Sequence, residues 1–147
     1  MQSADLHSAG YSGKSLLEKL GFKVGMTIAF VALPDELGPL IDAVDFAAIA
    51  RFATWKKIAG RARFDAIHAF TTSHAEIVAG LQRLEDAIKR DGMIWVSWPK
   101  KAAKVQTDVT EDVVRSEALK RDLVDVKVVA IDEKWSGLKL VIRKERR

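Results

Sequence analysis

The segments TTSHAE (71–76) and WVSWPKK (95–101) concentrate side chains whose types and spacing could bind or react. Trp95 and Trp98, three apart in an extended run, point to opposite faces, so one indole belongs to the core while Trp98 can stand at the rim. Pro99 cannot donate to a strand ladder, and the strand therefore stops there, leaving Lys100 and Lys101 at its carboxyl end. Thr72, Ser73 and His74 fall in the first turn after another apolar run. The carboxyl edge of an open α/β sheet is where ligands collect, and a helix N-terminus there favours anions. Together with Lys14 in SAGYSGKS, these residues form a candidate ligand site suited to an anionic or phosphorylated small molecule rather than a cation.

Other chemistries find no support. The chain has no cysteine, which removes thiolate catalysis, disulfides and Cys-type zinc sites. Its 3 histidines are scattered without metal-ligand spacing, so no metal is expected. No G-x-S-x-G elbow marks a serine nucleophile, and catalytic residues are not assigned. SAGYSGKS (8–15) has Ser8 where a phosphate-binding loop needs glycine, and no strand precedes it, so it is read as the start of a helix from Ser12 or Gly13 to Leu20. His68 sits mid-strand among apolar neighbours and reads as a core histidine.

The elements that must position these groups follow from the hydrophobic pattern. MTIAFVAL (26–33), FDAIHAF (64–70) and MIWVSW (93–98) are apolar runs of the kind covered on both faces in a parallel sheet. Between the last two, Ser73 and Glu76 spell a capping box, Ile77, Leu81, Leu84 and Ile88 share a helical stripe, and Gly92 suits a left-handed cap. Asp108 and Glu111 suggest a second box opening a helix to about Lys120. DVKVVAID (125–132) and GLKLVIRK (137–144) read as an antiparallel hairpin joined by EKWS. In residues 35–60 Pro39 could open a helix, and DFAAIARFATWKKIAG fits either an alanine-rich helix or a short strand and turn. The expected fold is a three-layer α/β, mostly parallel Rossmann-like sheet ending in an antiparallel hairpin. It is read as one domain over 1–147, with 1–10 and 145–147 as flexible ends.

That order resembles the core of S-adenosylmethionine-dependent methyltransferases. YSGK, SWPKKA, TDVTEDVVR, LVDVKV and WSGLKLV also resemble the bacterial family known as domain of unknown function 3052, from Tyr11 to Lys144, which brings no established activity. The methyltransferase resemblance implies a glycine-rich turn after the first strand and an acid at the end of the second. Here the turn reads LPDELGP, so Pro34 and two acids take the place of the glycines. The expectation is therefore a non-catalytic ligand-binding domain without a cofactor. The alternative is a methyltransferase-like enzyme with a divergent loop, with Asp35 or Glu36 near S-adenosylmethionine.

Charge adds little. Of a net +4, residues 98–147 supply 13 Lys+Arg against 9 Asp+Glu. Pairing of Trp with Lys at Trp55-Lys56-Lys57, Trp98-Lys100 and Lys134-Trp135 would suit a nucleic-acid or protein adaptor if the indoles shared a surface. Nucleic acid ranks below a small anion as a partner, membrane association is not expected, and a homodimer is open through the hairpin or the 40–58 section. A cytoplasmic location is expected from the lack of a basic leader or long apolar run.

Overall fold

The computed structural model describes residues 15–147. Lys14, Tyr11 and the proposed helix start at Ser12 or Gly13 lie outside them.

Ser15 opens α1 (Leu16–Leu20) with a capping box: its hydroxyl accepts the Glu18 N–H at 3.2 Å and the Glu18 carboxylate accepts the Ser15 N–H at 3.2 Å. Gly21, at φ +77°, closes it. The helix ends at Leu20, as its sequence suggested.

β1 (Thr27–Val31) and β2 (Ala48–Phe52) pair in parallel, Thr27 opposite Ala48 and Val31 opposite Phe52. Pairing resolves the ambiguity of the 35–60 section: Pro34 precedes a 3₁₀ helix (Asp35–Ile41) with Pro39 inside it, β2 follows, and Trp55–Lys57 makes one more 3₁₀ turn. β3 (Phe64–Phe70) lies on the other side of β1, and β4 (Ile88–Pro99) beside β3. β5 (Leu123–Ala130) and β6 (Trp135–Ile142) complete the order β2-β1-β3-β4-β6-β5. β6 runs antiparallel to both its neighbours, so the other five strands share one direction.

The loop between β5 and β6 has four residues, within the four or five expected, but it spans 131–134 rather than EKWS, because Trp135 and Ser136 already pair with Pro99 and Trp98. Gly92 does not cap a helix. α2 (His74–Ala87) ends with the Ile88 N–H donating to Leu84, and Gly92 lies in an irregular stretch of β4, where a Cβ would come 2.9 Å from the Asp65 carbonyl oxygen. Close backbone approach, not a left-handed turn, requires the glycine there.

The alternation along the strands builds two cores. Ala29, Val31, Ile67, Ile94, Val96 and Trp98 pack under α2 and α3 (Glu111–Leu119). Ile28, Phe30, Phe70 and Trp95 pack under α1, the Asp35–Ile41 turn and Trp135. Trp95 Nε1 donates to the Leu20 carbonyl at 2.9 Å, pinning α1 to the sheet. The α/β three-layer arrangement is as expected. No described helix is long and apolar enough to cross a membrane.

Candidate functional site

The β3–β4 edge groups are largely engaged by the protein itself. Ser73 caps α2 by accepting the Glu76 N–H at 3.2 Å, but Glu76 does not complete a box; its carboxylate accepts the Thr71 hydroxyl at 2.6 Å. The His74 N–H donates to Asp108 Oδ1 at 2.7 Å, and its ring Nε2 lies 3.0 Å from Glu117 Oε2. Asp108 is therefore a bridge to α2, and the cap of α3 is Thr110, whose hydroxyl accepts the Val113 N–H. The Thr72 carbonyl accepts the Thr107 hydroxyl at 2.8 Å.

Glu117 is the hub beneath His74. Burial raises its carboxyl pKa, but Lys120 at 2.9 Å, His74 and Arg121 at 3.4 Å outweigh that and hold it at about 2. These groups tie α2 to α3.

Trp98 is 7% exposed and packs with the α2–α3 core rather than standing free at the rim. Lys100 donates from Nζ to the Asp132 carbonyl at 2.7 Å, while Lys101 is exposed in a 3₁₀ turn (Lys101–Ala103). Trp55 and Trp135 are 1% and 6% exposed. The indoles thus offer no shared open surface, which removes the stacking platform that the adaptor reading needs.

His68 is a core histidine, as expected. It is fully buried, stacks on Phe70 with centroids 4.2 Å apart, and its Nε2 lies 2.8 Å from Ser97 Oγ. Its Nδ1 has no partner, and burial drives its pKa down to about 3, so the ring is neutral.

A different place emerges at the carboxyl ends of β1 and β2. Ala32, the first residue past β1, adopts φ +56°, and its N–H donates to the Phe52 carbonyl at 2.8 Å. Beside it opens a cleft of about 520 Å³ lined by Phe30, Ala32, Leu33, Arg51, Phe52 and Ala53. Sequence reasoning missed this cleft. It looked for glycine after β1, whereas Ala32 makes the left-handed turn in glycine's place at a cost of roughly 1 kcal/mol.

Under the methyltransferase alternative, Asp35 or Glu36 is expected near the cofactor. Neither lines the cleft. Glu36 accepts the Trp135 indole N–H at 3.2 Å and pairs with Lys134 at 3.4 Å. Its own backbone N–H, the indole and Lys134 hold its carboxyl pKa below the ordinary value. Glu36 therefore fastens the loop after β1 to the start of β6.

No protein-family model matches the chain, and no curated protein matches it in sequence. The resemblance to domain of unknown function 3052 gains no support from that comparison. Solved structures do match in fold. A SAM-dependent methyltransferase from Aquifex aeolicus superposes with TM-score 0.62 at 16% identity, over 87% of this chain and 88% of its own. A TehB-like SAM-dependent methyltransferase from Corynebacterium glutamicum gives TM-score 0.62 at 9% identity, over 87% and 85%. The 1,6-didemethyltoxoflavin-N1-methyltransferase of Burkholderia thailandensis, with bound S-adenosylhomocysteine, gives 0.58 at 14%, over 88% and 75%.

At these identities the likeness carries the fold, which is that of the SAM-dependent methyltransferases. It also overturns the expectation of a cofactor-free domain, since two of these three structures are SAM-dependent methyltransferases and the third holds S-adenosylhomocysteine.

The cleft fits an adenosyl group in part. Its volume is in the range of about 300–1,000 Å³ usual for small-molecule sites. The left-handed turn at Ala32 brings backbone to its wall, and Phe52 gives a half-buried aromatic in the lining. The ribose end does not fit in the usual way, because the lining holds no carboxylate and β2 ends in Arg51 and Phe52.

Proposed function

We propose that the chain is a methyltransferase-like protein with a divergent cofactor loop, holding the adenosyl part of S-adenosylmethionine in the cleft at the ends of β1 and β2. The observation that carries this reading is the left-handed Ala32 turn, closed by its hydrogen bond to Phe52, beside a cleft of about 520 Å³. Open α/β sheets bind ligands at the carboxyl ends of their strands, which is where this cleft lies. The fold shared with SAM-dependent methyltransferases supports the same reading.

When bound, S-adenosylmethionine would supply an activated methyl group. This chain's part is to hold and orient: Ala32 and Leu33 present the turn, Phe52 and Ala53 the facing wall, and the Glu36–Trp135–Lys134 cluster anchors the loop from behind.

Titration calorimetry with S-adenosylhomocysteine tests this reading. Saturable binding that is lost in Ala53→Trp, which fills the cleft from an exposed position, is expected. No heat at about 1 mM ligand, where even a weak site is half filled, would overturn it.

A further inference from the structure

Arg51 stands near the end of β2, at the edge of the sheet, with its side chain exposed. It lines the cleft and makes no side-chain hydrogen bond or ion pair with any described residue. Its guanidinium is a planar fork of donors with nothing to hold. The lining contains no carboxylate to neutralise it.

In doubly wound sheets, the residue near the end of the second strand meets the ribose of a bound nucleotide. An acid there accepts from the ribose hydroxyls, whereas an arginine accommodates a phosphate on the 2′ oxygen. Arg51 comes about 20 residues after Val31, the last residue of β1, which is the spacing of that position. Guanidinium and phosphate match in charge and in two-pronged geometry. The sulfonium of S-adenosylmethionine is itself cationic and gains nothing from a neighbouring guanidinium.

We propose that Arg51 opens this cleft to a second class of ligand, adenine nucleotides carrying a phosphate on the 2′ or 3′ oxygen of the ribose, which compete there with S-adenosylmethionine. The proposal rests on the adenosyl reading of the cleft and adds a regulatory input to it. A nucleotide pool rich in such phosphates would hold the site closed to the methyl donor.

The test is titration calorimetry of the full chain with four probes: adenosine 5′-monophosphate, adenosine 2′,5′-bisphosphate, adenosine 3′,5′-bisphosphate and S-adenosylhomocysteine. At least one bisphosphate is expected to bind about tenfold or more tighter than the monophosphate and to displace S-adenosylhomocysteine. The margin should vanish in Arg51→Ala. Arg51→Glu should reverse the order, weakening the bisphosphate while keeping or improving S-adenosylhomocysteine. Circular dichroism checks that both variants fold, as expected for an exposed edge position.

The outcomes separate the two claims. If S-adenosylhomocysteine binds but a 2′- or 3′-phosphate adds nothing over the monophosphate, or adds an advantage that survives Arg51→Ala, the proposal is overturned and the adenosyl reading stands. If none of the four binds, both fall.

Discussion

Ala32 donates its N–H to the carbonyl oxygen of Phe52 at 2.8 Å, joining the first residue beyond β1 to the last residue of β2. The bond carries the β1–β2 ladder one residue past Val31, and Ala32, in the left-handed region, turns the chain away there beside the cleft. The turn and the cleft are therefore one feature, made by a residue with a Cβ where backbone strain favours none.

Relieving that strain should nearly offset the entropy that glycine adds to the unfolded chain. Ala32→Gly is expected to stay within about 0.5 kcal/mol of the parent in urea unfolding. Ala32→Val puts a β-branched residue at φ +56° and should cost about 1–3 kcal/mol.

His68 predicts an acid-sensitive core. Its folded pKa is depressed to about 3 from 6.5, so below the ordinary value the unfolded chain takes up a proton that the buried ring refuses. Its contribution is thus fully present above pH 6.5 and is lost as pH falls toward 3, at about 1.4 kcal/mol per pH unit. Urea midpoints at pH 7 and pH 5 should show this slope in the parent and a flatter one in His68→Phe. The variant itself should lose about 1–2 kcal/mol at pH 7, because Ser97 then lacks its partner.

Glu117 acts at lower pH. Its carboxyl is held at about 2 against an ordinary 4.5, so its stabilisation is complete above pH 4.5 and disappears as pH falls toward 2. Glu117→Ala should cost about 2–3 kcal/mol at pH 7, less than a fully buried pair because Lys120 and His74 face solvent. The gap between parent and variant should close in melts near pH 2.

Gly137 and Ser97 should be coupled. A Cβ at Gly137 would lie 2.8 Å from Ser97 Oγ and 3.2 Å from Trp95 Cε3 and Ile131 Cδ1. Gly137→Ala is expected to cost about 2 kcal/mol, and Ser97→Ala about 1–3 kcal/mol by stranding His68. The double variant should fall short of their sum by about 1 kcal/mol, because the tightest clash is gone.

Much of the frame is visible in the sequence because its strands are buried and strongly patterned. FDAIHAF coincides with β3, Trp95 and Trp98 take opposite faces, and His68 is in the core. β2 is an edge strand with an exposed pattern, so AIARF carries no strand signal of its own and extends only because Thr27–Val31 pairs with it. Gly92 and Asp108 were misread for a related reason. Each serves a contact far along the chain, one with the β3 backbone and the other with His74, while local rules offered a nearby cap.

The site was less legible than the fold. The polar residues after β3 and β4 looked free in sequence but are used by the protein to join its helices and loops. The cleft needs a backbone conformation at Ala32 that no residue type announces. Arg51 did leave a signal, its spacing from β1.

Chemical-shift mapping of the ¹⁵N-labelled chain with S-adenosylhomocysteine tests the placement of the adenosyl group most directly. Perturbations centred on Ala32, Leu33, Phe52 and Ala53 are predicted. No perturbation at about 1 mM ligand, or changes confined to Thr72–His74 and Lys100–Lys101, would contradict it.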